Sequence, residues 1–223
     1  MKILALDAAT EACSAALLVG AAMSERYDVI GRGHAGRLLP MADELLREAG
    51  LTPRDLDAVA FGRGPGGFTG LRIAAGMAQG LAAGAGKPVV PVSNLAAVAA
   101  GAARANGSTR ILVCMDARMG QVYWAVFDCS GARPSALTRE HLSDPGGVEL
   151  PAGEATFGAG HGFSAHPALA DRLRATLTGM DDAALPRAVD IARIGAVDFA
   201  AGRGVAAAQG LPVYLRDDVV HRR

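Results

Sequence analysis

Short continuous apolar runs alternate along this chain with stretches whose apolar positions recur every three or four residues. That mixture predicts strands buried on both faces and helices packed against them. Lys2 to Leu6 is the first run, and it ends at Asp7. Ala8-Ala9-Thr10-Glu11 reads as a turn and Cys13 to Val19 as a second strand; so short a turn requires an antiparallel hairpin. A third strand is expected over Met23 to Ile30. From His34 to Ala49, Leu38, Met41, Ala42, Leu45, Leu46 and Ala49 share one side of a helix, with Gly50 as its C-cap. Thr52-Pro53-Arg54-Asp55 reads as a cap and first helical turn, and Asp57 to Phe61 as the next strand.

Between that strand and the following helix lies Gly62-Arg63-Gly64-Pro65-Gly66-Gly67-Phe68-Thr69-Gly70-Leu71-Arg72. Glycine permits positive φ and close backbone approach. A glycine-rich turn entering a helix N-terminus offers free N–H groups and a positive dipole end. Two readings follow, an anion cradle or a tight connection packed against a neighbour. It is not a Walker A loop, because the Gly-Lys-Ser/Thr ending is absent. The helix predicted over Gly70 to Ala83 is apolar nearly all round, as a buried helix would be. Gly76, Gly80 and Gly84 recur every four residues on it, each costing about 1 kcal/mol against alanine. Such a ridge implies close helix approach, inside this chain or with a second chain.

Lys87 to Val92 is a strand, and Ser93 caps a helix over Asn94 to Arg104. Ile111 to Met115 is a strand ending at Asp116, with Gln121 to Phe127 as its hairpin partner across Ala117-Arg118-Met119-Gly120. Apolar strand, terminal Asp, short turn and second strand thus occur twice, which suggests an internal duplication. After Ser130 the pattern loosens: Pro134 to Gly153 is turn-rich with an edge strand and a short helix, and Ala155 to Ala159 is a small strand. Leu185 to Ala200 is helical by periodicity, and Leu211 to Arg216 is extended. The expectation is two units, residues 1–108 and a smaller 109–223, the second abbreviated.

Composition removes several classes of function. The chain has 223 residues, 51% of them hydrophobic, with 22 basic and 22 acidic side chains. Disorder requires low hydrophobicity and high net charge. A general nucleic-acid clamp carries a basic excess, absent here, which leaves room for a local basic patch and at most an indirect or weak nucleic-acid contact. Lys2 and Lys87 are the only lysines among the 22 basic residues, which reflects composition bias. The longest charge-free apolar stretches, Ile73 to Gly86 and Pro88 to Ala103, are shorter than the roughly 20 residues of a membrane span. Asp7 follows too soon after Met1 for a signal-peptide core. Cys13, Cys114 and Cys129, odd in number and without CxxC spacing, read as reduced core residues of a cytoplasmic protein.

Candidate chemistry is sparse. His34, His141, His161, His166 and His221 form no HxxH, HxxxH or HExxH pair, so no metal site is expected. There is no G-x-S-x-G elbow, and Ser14 and Ser93 read as a strand residue and a cap. Asp7 and Asp116 alone sit at strand ends, where active-site carboxylates often lie. Either acts in a site or caps its adjacent turn by accepting backbone N–H bonds.

Asp7-Ala8-Ala9-Thr10-Glu11-Ala12-Cys13-Ser14, His34 with Leu38-Leu39-Pro40, and Phe61 through Arg72 resemble the bacterial YeaZ, or TsaB, family. So do Asp116-Ala117-Arg118-Met119-Gly120-Gln121-Val122-Tyr123 and Tyr214-Leu215-Arg216. The resemblance is continuous over the first 127 residues and thin from Ser130 to Leu211. It implies an α/β protein of the actin/Hsp70/sugar-kinase-like (ASKHA) fold, two related subdomains of β-sheet flanked by helices. It also implies a part in installing threonylcarbamoyl on adenosine 37 of tRNAs that read ANN codons. There the member is a non-catalytic, cofactor-free partner of a larger catalytic homologue, TsaD, joined by a small ATPase, TsaE.

The resemblance further implies a vestigial nucleotide loop of Asp7, Thr10, Gly64, Pro65, Gly66, Gly67 and Asp116. The catalytic homologue carries an HxxxH metal pair where Asn94 and Val98 stand here, and Val98 cannot ligate a metal. Active members have a glycine between the Asp and the Thr, where this chain has Ala8 and Ala9. Helices one and two pair with the homologue or with a second copy, which assigns Leu38, Met41, Leu45, Gly76, Gly80 and Gly84 to the interface. Two enzymatic readings compete: a kinase-like ATP-binding enzyme, and a peptidase acting on the homologue.

Overall fold

The computed structural model describes residues 1–216 apart from 152 and 154. Two mixed sheets divide the chain. In the first, β1 (Lys2–Asp7) and β2 (Ala12–Val19) form the expected hairpin, with Leu6 opposite Ala15 and Asp7 opposite Ser14. β3 (Ala22–Val29) continues it antiparallel. α1 (His34–Glu48) then carries the chain over one face to β4 (Ala58–Gly64), parallel to β1. α2 (Phe68–Ala85) carries it to β5 (Val89–Ser93), parallel to β4, giving the order β3-β2-β1-β4-β5.

Both faces of this sheet are covered, which explains the unbroken apolar runs. Leu4, Leu6, Cys13, Ala15, Val59 and Phe61 meet α1 and α2 on one side. Ile3, Ala5, Ala16, Ala58, Ala60 and Val92 face the interior between the two sheets on the other.

α3 (Asn94–Asn106) leads into the second sheet, built from β6 (Arg110–Asp116), β7 (Val122–Asp128), β8 (Ser135–Ala136), β9 (His141–Ser143), β10 (Thr156–Ala159) and β11 (Leu177–Asp181). Its order is β11-β10-β6-β7-β8, with β9 also on β7. β6 and β7 are antiparallel, whereas β10 is parallel to both β6 and β11. This is the first sheet's topology repeated, as the paired strand-Asp-turn motifs suggested, and it is the arrangement of the ASKHA fold.

The abbreviation lies in the connections. The 15-residue α1 has as its counterpart only a 3-10 turn, Pro145–Gly147. The 18-residue α2 corresponds to α4 (Gly162–Ala165) and α5 (Pro167–Leu173). The last helix, α6 (Ala188–Ala200), packs on the first sheet, while α3 packs on the second. Gly195 makes α6's approach possible, because a Cβ there would lie 2.8 Å from the Cβ of Ala60.

Several expectations are corrected. Thr52-Pro53-Arg54-Asp55 closes as a single 3-10 turn, in which the Thr52 N–H donates to the Asp55 carboxylate at 2.8 Å. β4 runs on to Gly64, so strand pairing extends into the glycine-rich segment. α2 is buried only along Leu71, Ala74, Ala75, Ala78 and Ala82; Gly76, Gly80 and Gly84 are exposed. The α5–β11 unit carried no periodic signal strong enough to predict it.

Candidate functional site

A cleft of about 690 Å³ opens between the two halves. Its first wall comprises Ala8 to Glu11, the start of α1 and the Pro65–Gly70 loop; its second comprises Met115 to Arg118, Tyr123 and His161, and Val213 to Arg216 border it. Of the residues expected to form a nucleotide loop, Thr10, Pro65, Gly66, Gly67 and Asp116 line this cleft.

Asp7 is not in the cleft. Its carboxylate is wholly buried beneath it. The Asn94 side-chain amide donates to it at 2.6 Å and the Ala9 N–H at 3.3 Å. Burial, only partly offset by these donors, pushes its pKa up to about 7. The Asn94 carbonyl accepts the Gly64 N–H at 2.7 Å, so one buried amide ties β1, β4 and α3 together. Gly62 gives this clamp its room: a Cβ there would stand 2.0 Å from Asp7 Oδ1 and 2.6 Å from Asn94 Nδ2. The position that the resemblance assigns to a metal-binding histidine in the catalytic homologue thus serves here as a backbone anchor.

The glycines of the loop pack closely against the chain itself. The Gly67 N–H donates to the Ala9 carbonyl at 2.7 Å. A Cβ on Gly66 would lie 2.6 Å from that same oxygen, and one on Gly70 would lie 1.7 Å from the Ala8 carbonyl oxygen. Gly64, at φ +113°, faces the Val213 carbonyl, 2.5 Å from where a Cβ would sit. The glycines let the loop close onto the Ala8-Ala9 turn and the C-terminal segment, and Gly67 spends its N–H on the chain itself. Thr10 likewise turns inward, its hydroxyl accepting the Ala12 N–H at 3.2 Å.

Asp116 reaches the cleft but caps its turn, accepting the Arg118 N–H at 3.0 Å. His166 Nε2 approaches the same oxygen at 3.3 Å. Burial lowers the pKa of His161. His34 opens α1, and its Nε2, like His161 Nδ1, is buried without a hydrogen-bond partner among the described residues. Burial pushes the Cys13 thiol to about 11 and Cys129 to about 12, so neither is a thiolate near neutrality. His221 lies outside the described residues.

The expected interface needs one correction. Leu38, Met41 and Leu45 are buried in the chain's own core, packed with Leu4, Leu6 and Cys13. An apolar stripe reveals that a face is covered, and here the first sheet covers it. α1 presents Leu39, Pro40, Asp43 and Arg47 to the outside instead. Gly76, Gly80 and Gly84 behave differently: a Cβ on any of them would meet no atom of another described element within 4 Å. Close approach by the described residues therefore does not explain them.

Sequence reasoning missed the groups that join the halves. Arg63 contacts Glu140 at 3.2 Å, Glu140 accepts the Ser93 hydroxyl, and Arg216 reaches across to Ala117 and Gln121. Partners this far apart in sequence leave no local signal.

A family model described as TsaD, tRNA N6-adenosine threonylcarbamoyltransferase, matches residues 28–204. The tRNA threonylcarbamoyladenosine biosynthesis protein TsaB of Escherichia coli (strain K12) is 39% identical, the match covering 100% of this chain and 98% of that protein. Its Haemophilus influenzae namesake is 35% identical, over 100% of this chain and 97% of that protein. Among solved structures, YeaZ from Pseudomonas aeruginosa superposes with a TM-score of 0.88 at 42% identity, covering 96% of this chain and 99% of that one. Full-length identity at this level, on the same two-sheet architecture, shows that the chain belongs to the TsaB (YeaZ) family.

Proposed function

We propose that this chain acts in tRNA threonylcarbamoyladenosine biosynthesis as a non-catalytic scaffold, or activating subunit. On this reading it pairs with a TsaD-type catalytic homologue, which transfers threonylcarbamoyl to adenosine 37 of ANN-reading tRNAs, and a TsaE-type ATPase joins them in the cytoplasm. Subdomains 1–108 and 109–223 are then a duplicated frame that presents a docking face. The observation that carries the reading is the ridge Gly76, Gly80 and Gly84 on α2, exposed, with no described residue of another element within 4 Å of where a Cβ would sit. Gly76 and Gly80, interior to the helix on this face, cost about 1 kcal/mol each, a cost a closely packed partner helix offsets. α1 lies beside α2 on the same face of the sheet and offers Leu39 and Pro40 to the same partner.

Two features of the described residues weigh for the scaffold role against its enzymatic rivals. The glycine-rich loop packs on Ala8 and Ala9 and gives the Gly67 N–H to the Ala9 carbonyl, which disfavours a kinase-like enzyme. The Ser14 hydroxyl accepts the Ala188 N–H; Ser93 caps α3 by accepting the Ala96 N–H and donates to Glu140, a carboxylate already ion-paired with Arg63, so among the described residues neither has the histidine or lysine partner of a serine-peptidase nucleophile.

The test is to mix the purified chain with the TsaD-type protein of the same organism and read the complex mass by size exclusion with light scattering. A heterodimer is expected, and Gly80→Leu is expected to abolish it, while the melting temperature stays at or above that of the parent. Retained pairing with Gly80→Leu would remove the ridge from the interface. If only homodimers formed, the face would belong to self-association. Tight ATP binding by the isolated chain would favour the kinase-like reading.

A further inference from the structure

The last described segment does more than end the fold. After α6 the chain pairs Val205 with Val89 of β5, the two N–H···O bonds both 2.9 Å. Residues 211–216 then run along the cleft, and four of them, Val213 to Arg216, line it. At the first-half end the Val213 N–H donates to the Arg63 carbonyl at 2.7 Å. The Tyr214 ring packs on Phe68 at 5.2 Å, and its hydroxyl accepts from Arg72 at 3.1 Å. At the second-half end the Arg216 guanidinium donates to the Ala117 carbonyl at 3.0 Å and to Gln121 Oε1 at 2.9 Å.

The turn it grips is strained. Arg118 and Met119, at φ 61° and 55°, are successive non-glycine residues in the left-handed region, followed by Gly120 at 76°. Such residues persist where their surroundings hold them. Arg63 also anchors a second bridge. Its guanidinium meets both oxygens of Glu140, at 3.2 and 3.3 Å, and Glu140 accepts the hydroxyl of Ser93, the cap of α3. One residue of the glycine-rich loop therefore holds the strap through its carbonyl and the second half through its side chain.

We propose that residues 211–216 are a latch that fixes the two halves at one cleft opening, with Arg63–Glu140 as its second fastening. Domains joined across a cleft ordinarily move by hinge or shear. Here the strap spans the gap and removes that freedom until something competes for Arg216 or Tyr214.

Spin labels on introduced cysteines at Ala35, on the cleft rim, and Arg174, at the end of α5, report the separation of the halves in the full chain, with Cys129→Ser to prevent side labelling. Pulsed dipolar spectroscopy should give a narrow distance distribution in the parent. Arg216→Ala is expected to broaden it about twofold, and adding Glu140→Gln to broaden it further. Amide exchange in the core of both sheets, Leu4 to Leu6 and Ile111 to Met115, should remain as protected as in the parent. A segment that only stabilises the fold would instead speed exchange throughout and leave the distance unchanged. Arg216→Lys, which keeps the charge but not the forked donor geometry, should fall between and serves if the alanine variant folds poorly. An unchanged distribution in the double variant would overturn the latch.

Discussion

Gly70→Ala is expected to lose about 3 kcal/mol or more of folding stability, lowering the melting temperature by roughly 10 °C in a chain of this size. The added Cβ would stand 1.7 Å from the Ala8 carbonyl oxygen, a backbone atom with no rotamer by which to retreat. Either the start of α2 tilts away or the hairpin turn shifts, and each breaks the Gly67–Ala9 hydrogen bond as well. Ten residues along the same helix, Gly80→Ala should act in the opposite sense. No described residue of another element lies within 4 Å of its would-be Cβ, so the substitution gains about 1 kcal/mol of helix propensity. Thermal unfolding of the two variants beside the parent checks both signs. A Gly70→Ala protein that melted with the parent would show that the glycine-rich loop does not press on the Ala8-Ala9 turn, and the case against an anion cradle would fall with it.

Those two glycines show what a sequence can and cannot reveal. Glycine spacing announces close approach without naming what approaches. For Gly66 and Gly70 the neighbour is the preceding hairpin turn; for Gly76 and Gly80 no described residue fills the role. The stripe through Leu38, Met41 and Leu45 was legible as a buried face, but periodicity is blind to whether a sheet or a second molecule does the burying.

The duplicated architecture was legible because each half opens with the same unbroken apolar strand ending in Asp and a short turn. The pairing Leu6–Ala15 in one sheet and Leu112–Val126 in the other follows from that pattern. The α5–β11 region was not legible, because its helix has only seven residues and its strand five. Too short to show a period, they are held by Leu169, Leu173 and Phe163 packing under β6 and β7. In the sequence, Asn94 shows only as the absence of a histidine. Its structural work depends on two partners, at positions 7 and 64, that only the fold brings within reach.

That buried pair yields the second large effect, which is a pH dependence. Asp7 has a folded-state pKa of about 7 against 3.8 for the ordinary group, and burial is the dominant cause. Between those values the folded state holds a proton that the unfolded chain has released. Its stabilising contribution is therefore fully present below about pH 4, declines as pH rises, and is gone above pH 7. At about 1.4 kcal/mol per pH unit the loss from this group is on the order of 4 kcal/mol. Asp7→Asn removes the titration while keeping an oxygen to accept from Asn94, although the weaker bond from Ala9 is given up. Urea unfolding from pH 4 to 8 should therefore show the parent losing stability with a slope that the variant largely lacks. Near pH 8 the variant should equal or exceed the parent, an outcome opposite to that for an exposed, ion-paired carboxylate. Asn94→Ala should work in the other direction, stranding the buried Gly64 N–H at about 1–3 kcal/mol and removing a donor that favours the carboxylate. Its stability should go on falling above pH 7, where the parent's decline levels off. Parallel slopes in all three proteins would mean that Asp7 is not the proton-linked group. Divergence in the stated order would identify the Asp7–Asn94 clamp as a structural pair, in a position where an enzyme of this fold would keep its chemistry.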